Sequence, residues 1–291
     1  MTVPLFSPAT ALAARKLIEL ALSEDFGQAG DRTSESVIPA ETRATAVFIA
    51  RSGGVIAGLP IARIVCDSFA GLVFHDVVAD GIAVAPKAEI AILSGPLRAI
   101  LVAERTALNF LQRLSGIATL TRKYVDAIAG TNAVVLDTRK TTPGWRNLEK
   151  YAVRCGGGTN HRMGLYDGIL IKDNHIAGLG AGGVKKAVTM ARSDPRNEGI
   201  PVEIEVDSLS QLDDALSMHP EIVLLDNMAP DAMREAVKRR NAISPQTKLE
   251  ASGGINLTTI RAAAETGVDR ISVGAITHSA TALDIALDYQ S

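Results

Sequence analysis

The chain is poor in cysteine, in long apolar runs and in surplus charge of either sign, and each shortage removes a class of function. Cys66 and Cys155 are its only thiols. They are too few and too far apart for a disulfide framework or a thiolate metal site, and a reducing compartment is expected. Although 47% of the 291 residues are hydrophobic, Lys87, Glu89 and Arg98 interrupt the most apolar region. No run approaches the roughly 20 residues that cross a bilayer. Arg15, Lys16 and Glu19 fall where the core of a signal peptide would lie, so export is not expected and a cytoplasmic location is. With 30 Lys and Arg against 32 Asp and Glu, the net charge is -2. General nucleic-acid binding, which needs a strongly basic face, is disfavoured. An anionic ligand must then be met by a local cluster. Internal repeats, low-complexity tracts and charge blocks are also missing.

The length suffices for one large α/β domain or two unequal ones. Residues 8–22 carry apolar positions at helical spacing behind a Ser7 cap, which predicts a helix. Three β-rich runs at 45–50, 72–79 and 89–94, separated by Gly- or Pro-containing turns, suggest an antiparallel sheet. Residues 97–130 are helical again, read as two helices broken near Ser115-Gly116. The rhythm then changes. Short apolar strands at 133–137, 168–172, 202–206, 222–226, 248–251 and 270–273 alternate with amphipathic helices such as 208–217, 230–240 and 256–265. Repeated βα units imply a parallel sheet with helical crossovers. Polar residues at nearly every strand end favour a barrel over an open doubly wound sheet, and six units instead of eight predict an incomplete one. The expected division is 1–114 and 115–277, with the tail at about 278–291 packing back on the first domain.

The strand ends read Asp137-Thr138-Arg139-Lys140, Lys172-Asp173-Asn174-His175, Glu203-Ile204-Glu205, Asp226-Asn227, Ser252-Gly253-Gly254 and Ser272-Val273-Gly274, which a barrel gathers at one mouth. Residues 137–175 hold seven Lys or Arg against four acids. For Arg146, Lys150 and Arg154, on or near a helix, a solvated surface is the better reading. Arg139, Lys140 and Lys172 directly follow or end buried strands, where lost solvation must be replaced, and an anionic ligand is the economical partner. Arginine forks suit carboxylates, and lysine serves phosphate or carboxylate as a mobile point charge.

Cys155-Gly156-Gly157-Gly158-Thr159-Asn160 precedes His161 and Arg162. Its glycines allow close approach to a ligand, but a helix C-cap with a flexible loop explains them equally well. A lone His161 is more often structural than catalytic, and Arg162 beside it raises the functional reading only modestly. Glu205 and Asp226 could hold ribose hydroxyls directly or through Mg²⁺, with a salt bridge to the basic cluster as the alternative. Ser252-Gly253-Gly254 and Val273-Gly274 are like phosphate-binding turns of late barrel strands, or are simply tight turns. On the helix after residue 97, Glu104 lies within an apolar arc and Arg105 at its edge. Both need partners from another element or subunit.

Asp137-Thr138-Arg139-Lys140-Thr141-Thr142-Pro143-Gly144, Asn160-His161-Arg162 and Leu170-Ile171-Lys172-Asp173-Asn174-His175 together resemble the decarboxylating quinolinate phosphoribosyltransferases. Glu104-Arg105-Thr106-Ala107-Leu108-Asn109, Leu249-Glu250-Ala251-Ser252-Gly253-Gly254 and Ile271-Ser272-Val273-Gly274 extend the resemblance over nearly the whole chain. It implies an N-terminal α/β sandwich with a mixed sheet followed by an incomplete TIM-like α/β barrel. The implied activity is nicotinate-nucleotide diphosphorylase (carboxylating), which joins quinolinate to PRPP and releases carbon dioxide and pyrophosphate to give nicotinate mononucleotide in NAD biosynthesis.

The resemblance also assigns roles. Arg105 of one subunit enters its neighbour's site in a homodimer, joining Arg139 and Arg162 around the quinolinate carboxylates, while His161 and Lys172 line the same pocket. Lys140, Glu205 and Asp226 hold phosphates, ribose and Mg²⁺, the two acids binding the metal directly or indirectly. Ser252, Gly253, Gly254, Ser272 and Gly274 are carried over as substrate-binding, and Lys140, Lys172, Glu205 and Asp226 as catalytic. Rival readings are an aldolase-like Schiff base on Lys172, a relative with a different acceptor, and a binding or assembly protein that keeps only the barrel.

Overall fold

A computed structural model describes residues 6–290 of the chain. In chain order its elements are α1 (Pro8–Phe26), α2 (Arg32–Val37), β1 (Arg43–Ala50), β2 (Gly54–Val55), α3 (Leu59–Asp67), β3 (Val73–Asp76), β4 (Ala83–Val84), β5 (Glu89–Pro96) and α4 (Leu97–Ala127). There follow β6 (Val134–Leu136), α5 (Arg146–Cys155), β7 (Ile169–Ile171), α6 (Asp173–Ala177), α7 (Gly183–Ser193), β8 (Val202–Val206) and α8 (Leu209–Leu216). The last are β9 (Ile222–Asp226), α9 (Pro230–Ile243), β10 (Lys248–Ser252), α10 (Ile260–Ala264), β11 (Arg270–Ser272), α11 (Ala275–His278) and β12 (Ile285–Gln290).

By contact, the chain forms two compact units. The first comprises 1–122, 141–157 and 276–291, the second 123–140 and 158–275. The single cut expected near Leu114 and the contact boundary at residue 122 fall within the same helix, α4. No helix among the described residues is long and apolar enough to cross a membrane.

In the first unit a four-stranded sheet runs β12-β1-β5-β3, each neighbouring pair antiparallel. The three runs read from sequence supply β1, β3 and β5, and the C-terminal strand β12 closes the order against β1. Helix α1 begins where Ser7 accepts the Thr10 amide at 3.1 Å, a cap worth about 1 kcal/mol. Helix α3 has no capping side chain of its own. Asp80, 4% exposed, accepts the Gly58 and Leu59 amides at 2.8 and 3.1 Å and the Tyr151 hydroxyl at 2.6 Å instead. The break expected at Ser115-Gly116 does not occur, since α4 runs unbroken for 31 residues. Gly116 is small for packing: a Cβ there would lie 2.1 Å from the Thr281 carbonyl oxygen, so the glycine admits a neighbouring backbone. Ser115 is occupied too, its Oγ accepting the Ala57 amide at 3.0 Å.

Helix α5 is more enclosed than its charged residues suggest. Lys150, expected on a solvated face, is 1% exposed, and Arg146 and Arg154 are half-buried. The helix is buried on most sides. Its Glu149 accepts Arg113 Nη2 at 2.8 Å and the Thr142 amide and hydroxyl at 3.1 and 2.8 Å, and α1 packs along it.

The second unit is a six-stranded parallel sheet in the order β6-β11-β10-β9-β8-β7, all six strands lying where the sequence placed them. No pairing joins β6 to β7 among the described residues, so the barrel is incomplete. Paired residues in a parallel sheet share a face and alternate residues exchange faces. One face therefore carries Val202, Ile204, Val206, Val223, Leu225, Leu249, Ala251 and Ile271, all buried. Each large aliphatic there contributes about 1.5–3 kcal/mol by leaving water, and α7, α8 and α9 contact these strands. The opposite face holds Glu203, Glu205, Asp226, Lys248, Glu250, Ser252, Arg270 and Ser272.

Candidate functional site

On this polar face the side chains form two layers. The upper layer stands at the C-terminal strand edge, where parallel α/β sheets present their chemistry. Lys172, just past β7, places Nζ 2.7 Å from Glu205 Oε2 on the adjacent strand, with 48% and 13% of the two side chains exposed. This is the salt bridge that the sequence left as an alternative role for Glu205. Asp226 ends β9, half-buried, and its Oδ2 accepts Asn227 Nδ2 at 2.8 Å. Among the described residues Glu205 and Asp226 each keep one carboxylate oxygen without a hydrogen bond. Two such hard donors on neighbouring strands fit Mg²⁺, which takes a few carboxylates and completes its shell with water and phosphate oxygens.

Ser252 pairs in register with Asp226, and Gly253 follows at φ +86°. A Cβ at Gly253 would fall 2.1 Å from Asn227 Oδ1, so the turn needs glycine for packing and for backbone conformation alike. Gly254, at φ +63°, faces open space. Ser272 is buried at the end of β11, and Gly274 lies just before α11.

The loop after β6 adds the cations. Asp137, fully buried, accepts Asn160 Nδ2 at 2.6 Å and the His161 amide at 2.9 Å, pinning the segment that carries Arg162. Arg162 donates Nη1 to the Gly168 carbonyl at 2.9 Å, and its Nε and Nη2 have no partner among the described residues. Burial and then the charge of Arg139 hold its pKa below the ordinary arginine value. Arg139 is exposed and makes no hydrogen bond or ion pair among the described residues, and Lys140 beside it is exposed. Two guanidiniums close enough to repel, with donors to spare, form a ready receptor for a carboxylate.

Of the lower layer the sequence assigned His161 to the substrate pocket and gave Glu203 and Glu250 no role. His161 Nε2 lies 3.1 Å from Glu203 Oε2 and 3.4 Å from Glu250 Oε1, and Glu250 Oε2 accepts Arg270 Nε at 2.7 Å. Glu203 and Glu250 are 3% and 0% exposed. Their signal was available: each stands two residues before an upper-layer residue, Glu205 or Ser252, and so shares its face. His161 Nδ1 accepts the Arg162 amide at 2.7 Å. Burial disfavours a charged ring, but the two carboxylates outweigh it and push His161 up to about 9. A ring proton on Nδ1 would, however, confront the Arg162 N–H. The neutral Nε2–H ring satisfies both nitrogens, and the extra proton belongs on Glu203, which burial raises. Burial also acts to raise Glu250, but His161 and Arg270 outweigh it and lower the group.

The C-terminal edge of the second unit thus carries Lys172, Glu205, Asp226, Ser252 and Ser272 at its strand ends and Arg139 and Lys140 just past β6, with Arg162 joined to the lower layer through His161. Arg105 belongs to the first unit. It is exposed on α4 and has no hydrogen bond or ion pair among the described residues. Its neighbour Glu104 accepts the Tyr289 hydroxyl of β12 at 3.3 Å, the partner from another element that its helix position required. A cavity of about 630 Å³ opens at the opposite, N-terminal strand edge, lined by Pro201, Pro220, Ile222, Ile243, Lys248 and Arg270. It has none of the unpaired cation forks of the mouth, and that edge of such sheets serves stability.

Residues 31–115 match the family model for the quinolinate phosphoribosyl transferase N-terminal domain, and residues 117–288 that for the C-terminal domain. A nicotinate-nucleotide pyrophosphorylase (carboxylating) of Mycobacterium leprae is 45% identical over 279 residues, spanning 95% of this chain and 97% of that one. The quinolinate phosphoribosyltransferase (decarboxylating) 1b of Nicotiana tabacum is 38% identical and spans 93% and 81%. The solved nicotinate-nucleotide pyrophosphorylase from Francisella tularensis superposes with a TM-score of 0.89 at 41% identity, covering 96% of each chain. The chain belongs to the quinolinate phosphoribosyltransferase family.

Proposed function

We propose that this protein transfers the phosphoribosyl group of PRPP to quinolinate with loss of carbon dioxide, giving nicotinate mononucleotide and pyrophosphate for NAD biosynthesis in the cytoplasm. The observation that carries the reading is the Arg139 and Arg162 pair, two cation forks with unused donors in the unit whose sheet mouth carries Lys172. A pyridine with two adjacent carboxylates is a planar dianion matched to such forks.

The reaction needs no protein nucleophile. The bond from the anomeric carbon to pyrophosphate breaks with its electron pair on the departing oxygen, and the pyridine nitrogen lone pair forms the new bond to that carbon. Once quaternised, the nitrogen stabilises the electron pair left on the adjacent ring carbon as carbon dioxide departs, and a proton then completes that carbon. Arg139 and Arg162 hold the carboxylates so that the ring nitrogen faces the sugar, which supplies the proximity term. Lys172 and Lys140 place positive charge where anionic groups gather. Glu205 and Asp226 would hold Mg²⁺, which when bound supplies charge neutralisation for the phosphates.

The enzyme works as a homodimer in which Arg105 of one copy completes the site of the other. An exposed arginine with no partner among the described residues of its own chain supports this arrangement. Purified protein given Mg²⁺, PRPP and quinolinate is expected to release carbon dioxide and pyrophosphate in equal amounts, and no release from folded protein overturns the assignment. Mixing Arg105→Ala with Arg139→Ala subunits should restore part of the activity that each lacks. Inactive proven heterodimers would rule out sharing.

A further inference from the structure

His161 has no ring nitrogen to spare. Nδ1 accepts the Arg162 amide at 2.7 Å and Nε2 lies 3.1 Å from Glu203 Oε2. Glu203 Oε1 and Glu250 Oε1, the latter 3.4 Å from Nε2, are buried with no hydrogen-bond partner among the described residues, and Glu250 Oε2 accepts Arg270 Nε at 2.7 Å. Two acids buried this deeply on a sheet face are costly unless something uses them. The ring they grip is joined to the backbone of Arg162, whose Nε and Nη2 have no partner among the described residues.

We infer that Glu203 and Glu250, with Arg270 behind, are positioning residues: they fix His161 as its Nε2–H tautomer and through it set Arg162 for the carboxylates of quinolinate, an assignment that rests on the proposed reaction. His161 then acts through Arg162 and does not bind the substrate through its own nitrogens. Losing the lower layer weakens the grip on quinolinate and leaves that on PRPP, whose contacts lie with Lys140, Glu205 and Asp226.

The test uses the full-length protein and the variants Glu203→Met, Glu203→Gln and Glu250→Gln. Glu203→Met removes the acceptor at nearly constant volume, and the KM for quinolinate should rise about tenfold while that for PRPP stays within about twofold. Glu203→Gln keeps an acceptor oxygen and should return quinolinate affinity to within about threefold of wild type. Glu250→Gln keeps an oxygen for Arg270 but turns an amide N–H toward His161 Nε2–H, and should fall between the two. An equal rise in both KM values, or no rescue by glutamine, overturns the inference. Nitrogen-15 spectra of histidine-labelled wild type, with His161 assigned by its loss in His161→Gln, should show a protonated Nε2 and an acceptor Nδ1 at neutral pH. A proton on Nδ1 overturns it as well. The spectra need no turnover, so they still decide the tautomer if Glu203→Met does not fold, or if the wild type fails to act on quinolinate and the reaction itself is misassigned.

Discussion

The two layers of the polar sheet face are built from the same kinds of residue and behave differently. Below, the groups are closed in on one another: Glu250 between His161 and Arg270, His161 between two acids and an amide, all within the protein interior. Above, Arg139 has no partner among the described residues, Arg162 keeps unused donors, and the Lys172–Glu205 pair is open to water. A buried charge must be satisfied by the chain itself, whereas a half-exposed one waits in water for a ligand without large cost. Deep burial therefore marks the residues that position, and exposed unpaired cations mark those that bind.

The contrast breaks most visibly at the cations. Arg139→Ala or Arg162→Ala should lower kcat/KM for quinolinate about 10²–10³-fold, near 3–4 kcal/mol, with the denaturation midpoint unchanged. Steady-state kinetics beside urea unfolding checks both halves. A change in stability comparable to the change in activity would mean that these arginines hold the fold. In the layer beneath, Asp137→Ala removes the acceptor for Asn160 and the His161 amide. It should cost about 2–3 kcal/mol of unfolding free energy, read in the same urea titration. Asp226→Asn, at the mouth, should raise the magnesium requirement and cut kcat/KM for PRPP about tenfold while leaving stability intact.

The smallest effect sharpens the comparison through pH. Glu203, held above its ordinary value of 4.5 by burial, keeps a proton in the folded state at a pH where the unfolded chain has lost it. A raised folded value means that this stability is fully present below pH 4.5 and is lost as pH climbs through the folded value. Unfolding free energies across that window should fall for the wild type and flatten in Glu203→Gln. An unchanged slope in the variant would place the extra proton elsewhere.

Much of this was legible in the sequence, for particular reasons. The six parallel strands alternate or run apolar between turn residues, so their positions followed from period and length, and the polar strand ends pointed to the mouth. The two-residue β2 and β4 and the single polar turn and a half of α2 carry too little pattern to read, and α3 begins on a cap supplied from Asp80, remote in sequence. Gly116 looked like a helix break because a glycine that admits another backbone has the same letter as one that ends a helix. Lys150 looked solvated because nothing local reveals that α5 is covered. The grouping of 141–157 with the first unit leaves no composition shift behind. Glu203 and Glu250 were within reach: acids spaced two from the mouth residues Glu205 and Ser252 on the same strands needed only the alternation rule.

The most direct test of the two-layer account is the choice of acceptor. With PRPP and Mg²⁺ fixed, kcat/KM is compared for quinolinate and for nicotinate, which lacks the second carboxylate. The unfilled forks of Arg139 and Arg162 predict a preference for quinolinate of at least about a hundredfold. Equal use of the two acids would contradict it, because the mouth cations would then not be reading the second carboxylate.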